Sequence, residues 1–276
     1  MLKRILTSIV GVAILLPVLI FSDTFVLPIA VSVVTVIALF EMFNCVGLKG
    51  KYSMTIPALL AGVAFPIIAK LVSSASRLTP IACAFLMLYA VYVLSVCIFG
   101  HKTYTVSDAA LVFMTTAYII GGFVSIVLLR EISDTVYLLV FIGAWMTDIF
   151  AYFSGRLFGK HKLCETISPK KTIEGSIGGS LFCAISFVVF ALVTKGAGEG
   201  IGYYAIYGAV GLVISVVSQL GDLAMSLIKR QYKIKDFGKI FPGHGGILDR
   251  FDSVIAVSLV LFIIISVLSA FNVNII

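Results

Sequence analysis

The chain has 276 residues, of which 61% are hydrophobic and only 12% charged, with a formal net charge of +7. Soluble domains carry roughly 25% charged residues, so the composition excludes a water-soluble globular domain and describes a polytopic membrane protein. The five cysteines are odd in number and form no CxxC pair, so they read as core residues or free thiols, not as a disulfide or zinc framework.

In chain order, nine apolar segments are long enough, or nearly so, to cross a hydrocarbon core of about 30 Å as helices. They lie near residues 5–22, 25–47, 55–75, 81–99, 105–129, 135–155, 176–194, 204–228 and 253–274. The expected fold is therefore all-α, with about nine transmembrane helices and two polar loops. The first segment follows Lys3 and Arg4 as a signal peptide would. It lacks a small-residue cleavage site and another span follows at once, so it is expected to persist as a helix.

Charge placement orients the spans. With the N-terminus cytoplasmic, the inner side receives Lys3, Arg4, Lys49, Lys51, Lys102, Arg156, Lys160, Lys162, Lys170, Lys171 and the basic residues of 229–250. The outer side receives Arg77, Arg130 and Lys195, with Lys70 near that end of its helix. This is the positive-inside pattern. It puts the C-terminus outside and both large polar loops, 156–175 and 229–252, on one cytoplasmic face of the cell membrane.

Residues 1–134 are mostly spans with short loops and read as a transmembrane scaffold, whereas 135–276 hold nearly all the polar information and read as the catalytic region. The exception in the first half is Glu41, an acid inside the second span that must face a partner or a cavity; structural pairing is the preferred reading. In the sixth span, Asp148 and Tyr152 are one turn apart, and Asp148 is a candidate for substrate or metal contact, with pairing to Arg156 as the competing reading. The first polar loop contains SPKKTIEG, residues 168–175. Ser168 before Pro169 predicts a turn, Lys170 and Lys171 are cationic, and Thr172 is a candidate cap for a helix opened by Glu174 and glycines. The spacing is not that of a Walker A loop.

The eighth span carries Asp222, with Ser226 and Arg230 following at one-turn intervals on the same face. That stripe suits a divalent cation with a phosphate above it, and this is preferred to a buried Asp–Arg pair. The next loop packs Lys229, Arg230, Lys233, Lys235, Lys239 and Arg250 together with Asp236, Asp249, Asp252 and a glycine-rich turn around His244. A basic belt for anionic lipid explains part of this charge, but not the interleaved acids or the PGHGG turn. The glycines would let the backbone approach an anion and aim the amides of the ninth helix at it. Mg²⁺ takes few carboxylates and keeps sites for water and phosphate, which Asp222 and Asp249 from two helices would suit. Asp252 either shares that metal or orients Arg250. His244 is expected to contact phosphate and not to act as a general base.

The run from Ser226 to Asp252 reads S-x-x-K-R, K-D-x-G and P-G-H-G-G-I-x-D-R-x-D, and it resembles the signature of the phosphatidate cytidylyltransferases. The segments D-x-x-A-Y-x-x-G-R-x-F-G-K from Asp148 and S-P-K-K-T-x-E-G from Ser168 are also similar to that family. The resemblance covers the C-terminal half by motif and the whole chain by span count. It implies conversion of CTP and phosphatidic acid to CDP-diacylglycerol and pyrophosphate in phospholipid biosynthesis. It further implies a homodimer of nine-helix subunits in contact with membrane lipid, and no nucleic-acid partner. Asp222 and Asp249 match the family's Mg²⁺-binding acids, and a monovalent cation such as K⁺ is expected beside the Mg²⁺. On this reading Ser226, Lys229, Arg230 and His244 serve with the two acids in catalysis. Lys170, Lys171, Lys235, Asp236, Arg250, Asp252 and Asp148 line the substrate site. The alternatives are a CTP-dependent kinase of a lipid alcohol, and a transporter whose path is marked by Asp148 and Asp222. One-sided polarity and the lack of matched broken helices in two halves count against transport.

Overall fold

The computed structural model describes residues 11, 13–196, 199–241 and 245–271. Residues 13–20 are helical and form the described part of α1; the start of the expected first span lies outside the described residues. Among the described residues, eight further helices are long and apolar enough to cross a membrane. They are α2 Val26–Cys45, α3 Tyr52–Val72, α4 Ala75–Phe99, α5 Val106–Ile132, α6 Leu138–Phe158, α7 Ile173–Lys195, α8 Ile201–Gln231 and α9 Leu248–Ala270. The chain is thus an all-α polytopic membrane protein with one small hairpin.

The spans fall where hydropathy puts them, and the ends shift for local reasons. The fourth starts at Ala75 instead of residue 81 because Pro80 lies inside the helix and does not begin it; neighbouring groups in a membrane bundle take over the backbone bonds a proline releases. α8 extends to Gln231 and α9 starts at Leu248, so the second polar loop is shorter than the expected 229–252.

Compactness divides the chain into two units, one of residues 1–131 with 232–251 and one of 132–231 with 252–276. In the first unit α2 packs on α3 and α3 on α4. The α3–α4 contact includes an edge-on Phe65–Phe85 pair at 5.0 Å and the Tyr89 hydroxyl donating to the Met54 carbonyl at 2.7 Å. Lys51, just before α3, is ion-paired with Asp108 in the first turn of α5. Lys70, in the last turn of α3, lies 2.7 Å from Glu131 near the end of α5. Two ion pairs at matching ends fix α3 and α5 parallel, as alternating spans require.

In the second unit α6, α7 and α8 pack together. Small residues permit this, because lipid supplies no hydrophobic drive between helices and close backbone approach must do the work. A Cβ at Gly178 would lie 2.1 Å from Ser154 Oγ, and one at Gly179 would lie 2.8 Å from the Thr147 carbonyl. Phe150 and Phe182 stack at 4.0 Å on the same α6–α7 contact. Gln219 Nε2 donates to the Ser176 carbonyl at 3.4 Å and to Ser180 Oγ at 3.3 Å, tying α8 to α7.

The loop between α6 and α7 differs from expectation. Ser168 and Pro169 do not form the turn; they begin strand β2, Ser168–Thr172, which pairs antiparallel with β1, Lys162–Cys164. The turn is 165–167. Pro169 is tolerated because a two-stranded ribbon has only edge strands. Thr172 caps α7 as expected, accepting the Gly175 N–H at 3.1 Å. Glu174 lies 2.7 Å from His161 Nδ1 and closes the base of the hairpin.

Candidate active site

The sequence-derived site residues fall into two groups, one in each unit. In the second unit β2 sets the first of them. Side chains alternate along a strand, so Lys170 is exposed while Lys171 turns inward, half-buried. Its ammonium lies 2.5 Å from Asp222 Oδ2 on α8. The contact is an ion pair and not a well-angled hydrogen bond, since Lys171 Nζ has no hydrogen-bond partner by geometry.

Asp222 therefore pairs with Lys171 and not with Arg230, the buried Asp–Arg alternative raised above. Arg230 Nε instead donates to the Ile167 carbonyl at the hairpin turn, at 3.4 Å. Two further acids share the field. Asp148 on α6 interacts electrostatically with Asp222 and Lys171. Asp252 on α9 interacts with Asp222, Lys229 and Asp148. Arg156, the other candidate partner of Asp148, donates to the Tyr152 hydroxyl at 3.3 Å. Ser226 lies one turn from Asp222 on α8, half-buried.

Gly221 is what allows this grouping. A Cβ there would lie 2.7 Å from Ala256 Cβ and 3.1 Å from the Asp252 carbonyl. Only glycine lets α8 and the 252–270 part of α9 approach so closely, and Asp222 is the next residue. Three carboxyl groups thus face two ammonium groups, and a further cation would balance the set.

The second group is the turn of the first unit. Asp249, 8% exposed, accepts the Phe237 N–H at 2.8 Å and the Gly246 N–H at 2.9 Å on Oδ2. Gly245 has φ +87°, a conformation L-residues rarely adopt, and its carbonyl accepts the Phe241 N–H at 2.9 Å. Glu41, 4% exposed on α2, accepts the Ile247 N–H at 3.1 Å and the Leu248 N–H at 2.8 Å. The amides at the start of α9 do face an anion, as the glycines suggested, but that anion is the protein's own Glu41 and not a phosphate. Lys235, Asp236 and Arg250 are exposed around this turn. Pro242, Gly243 and His244 lie outside the described residues.

Among the described residues, no group of three or more His, Cys, Asp and Glu side chains is placed to hold a metal ion by itself. The donor set still fits Mg²⁺, which is commonly held by one or two carboxylates with substrate phosphates and water completing the shell. The excess of carboxyl over ammonium groups around Asp222 is the kind of site such an ion balances.

The structural pairing preferred for Glu41 is what the fold shows, whereas nothing in the sequence singled out Gly221. Glu41 carried a signal, a lone acid in an apolar helix; its partners are more than 200 residues away in sequence, and no local pattern names them.

The profile of the cytidylyltransferase family matches residues 2–268. A phosphatidate cytidylyltransferase of Staphylococcus haemolyticus is 36% identical over 250 residues, covering 91% of this chain and 93% of the relative. Proteins of that name from Staphylococcus aureus (strain COL) and Staphylococcus epidermidis (strain ATCC 12228) are 37% and 36% identical over the same shares of each chain. A match that runs nearly end to end in both partners includes the helices as well as the signature, and the chain belongs to the cytidylyltransferase family.

Proposed function

We propose that this membrane protein is a phosphatidate cytidylyltransferase: it joins CTP and phosphatidic acid into CDP-diacylglycerol and releases pyrophosphate. The observation that carries the reading is the match to proteins of that name across 91% of the chain. A lipid phosphate oxygen attacks the α-phosphorus of CTP. The new P–O bond forms as the bond to the β-phosphate oxygen breaks, and pyrophosphate leaves with the electron pair. The nucleophile is already anionic, so no general base is needed. The obstacle is repulsion between two anions, and cationic groups aimed at the phosphates offset it.

Asp222 and Asp249 would hold Mg²⁺, with K⁺ beside it. The metal would neutralise charge on the phosphates and on the departing pyrophosphate. Lys229, Arg230, Lys235 and Arg250 bind phosphates, and Ser226 and His244 orient them. Lys170 and Lys171 come from the hairpin, with Lys171 already at Asp222. Asp148, Asp236 and Asp252 complete the polar lining. Holding both phosphates in line supplies the rest of the acceleration.

The lipid substrate is anchored at the interface and CTP is soluble, so the reaction belongs at headgroup level. The positive-inside pattern supports the cytoplasmic face of the cell membrane, with the N-terminus inside and the C-terminus outside. The working form is a homodimer in contact with membrane lipid. Purified protein incubated with labelled CTP, phosphatidic acid and Mg²⁺ should yield CDP-diacylglycerol and pyrophosphate. CDP as the product would instead identify a lipid kinase, and ion flux in proteoliposomes without CTP turnover would identify a transporter.

A further inference from the structure

Glu41 is the buried acid that the reaction does not use. It lies in the fifth position from the end of α2, where that helix's own carbonyl dipoles oppose a negative charge. What holds it is the start of α9. Its two oxygens take one amide each, Ile247 N–H on Oε1 and Leu248 N–H on Oε2. These amides are among the donors at a helix start that have no partner within the helix. Hydrogen bonds from N–H groups to a carboxylate are roughly twice as strong as neutral ones.

The turn is shaped to admit this carboxylate. A Cβ at Gly238 would lie 2.0 Å from Glu41 Oε1, and one at Gly246 would lie 2.2 Å from the same atom. Both glycines belong to the signature. Gly246 also gives its N–H to Asp249. One glycine therefore touches Glu41 with its α-carbon and Asp249 with its amide, so a shift at Glu41 is felt at Asp249.

We propose that Glu41 is a positioning residue for cytidylyl transfer. It grips the Ile247 and Leu248 amides, fixes the glycine turn, and through that turn sets the direction in which Asp249 presents its carboxylate. The proposal rests on the function stated above. Glu41 acts through Asp249 and does not itself meet the substrates.

The test uses the full-length protein in detergent. Glu41→Gln keeps the size of the side chain but sets its NH₂ against one of the two amides. It should stay folded by circular dichroism. In metal-free protein, hydrogen exchange over residues 245–252 should quicken by about tenfold, reflecting the lost charged bond. The kcat should fall about 10- to 100-fold while KM for CTP stays within about threefold, the split expected when the loss is felt mainly in the transition state. Mn²⁺ binding, read by electron paramagnetic resonance without substrate, should weaken about tenfold, as outer partners of metal ligands do when removed.

Glu41→Asp, shorter by one methylene, carries the same test in the same direction should the Gln variant not fold. A cycle adds independence. Gly246→Ala should be harmful with Glu41 present and less so with Glu41→Ala, because the clash is with that carboxylate. Folded Glu41→Gln with wild-type kcat and Mn²⁺ binding overturns the proposal. So does a loss of activity that only follows the folded fraction, with exchange at 245–252 unchanged. Wild-type protein that makes no CDP-diacylglycerol overturns the functional reading itself, a different result from normal wild-type turnover with an indifferent Glu41 variant.

Discussion

The two polar clusters satisfy their acids in opposite ways. In the turn of the first unit, Glu41 and Asp249 are met by backbone amides, with four such N–H groups among the described residues. Those bonds are fixed by the chain path and do not depend on anything arriving. Around Asp222 the carboxyl groups face one another and two lysines. A set of that kind responds to charge: a cation or a polyphosphate changes every interaction in it. The amide-held turn fixes where its carboxylates point, whereas the Asp222 set carries more carboxyl than ammonium groups, and the same residue type serves both ends according to its partners.

The largest effect should come from removing the acids themselves. Asp222→Asn and Asp249→Asn should each lower Mg²⁺-dependent turnover by about 10²–10³-fold or more while the protein still inserts in the membrane, the usual scale for loss of charge stabilisation at a reacting centre. Assays of purified variants with labelled CTP check this. Near-normal turnover in either would end its assignment to the metal.

Next in size is the shape-holding cluster. Gly238→Ala places a methyl 2.0 Å from Glu41 Oε1. Overpacking of this kind typically destabilises by about 1–3 kcal/mol. The apparent Tm in detergent should drop, and Glu41→Ala should restore part of it. In the charge-responsive cluster a neutral replacement should act differently. Lys171→Met removes the cation at Asp222, so Mn²⁺ binding to substrate-free protein should tighten by about tenfold, a coupling of ordinary size for two ligands of one site. Turnover should fall modestly, as the proposed phosphate contact of Lys171 requires. If Gly238→Ala alters only metal binding, or Lys171→Met only Tm, the division of labour is reversed.

Much of this was legible in advance. Long apolar runs forced helices, and Thr172 was recognisable as a cap because Glu174 and glycine followed it. The grouping of Asp148, Asp222 and Asp252 was anticipated only as separate acids near one region. Lys171 as the partner of Asp222 was not, because 51 positions separate them and a hairpin of three- and five-residue strands is too short to leave a period-two pattern. The same limit hid the Glu41 clamp. Local propensity reports what a segment prefers, while these contacts depend on which helices meet, and glycines such as Gly221 and Gly246 reveal their purpose only once the opposing atoms are in place.

The smallest expected effect is at Arg77. Arg77 is exposed in the first turn of α4, and charge placement assigns it to the outer side. It takes part in neither the amide-held turn nor the Asp222 set. A surface substitution of that kind usually changes stability by less than about 0.5 kcal/mol. Arg77→Ala should therefore keep turnover within about twofold and leave Mn²⁺ binding unaltered. A large loss of turnover would put Arg77 on the substrate side, reverse the orientation of α4, and with it the face on which CTP is met.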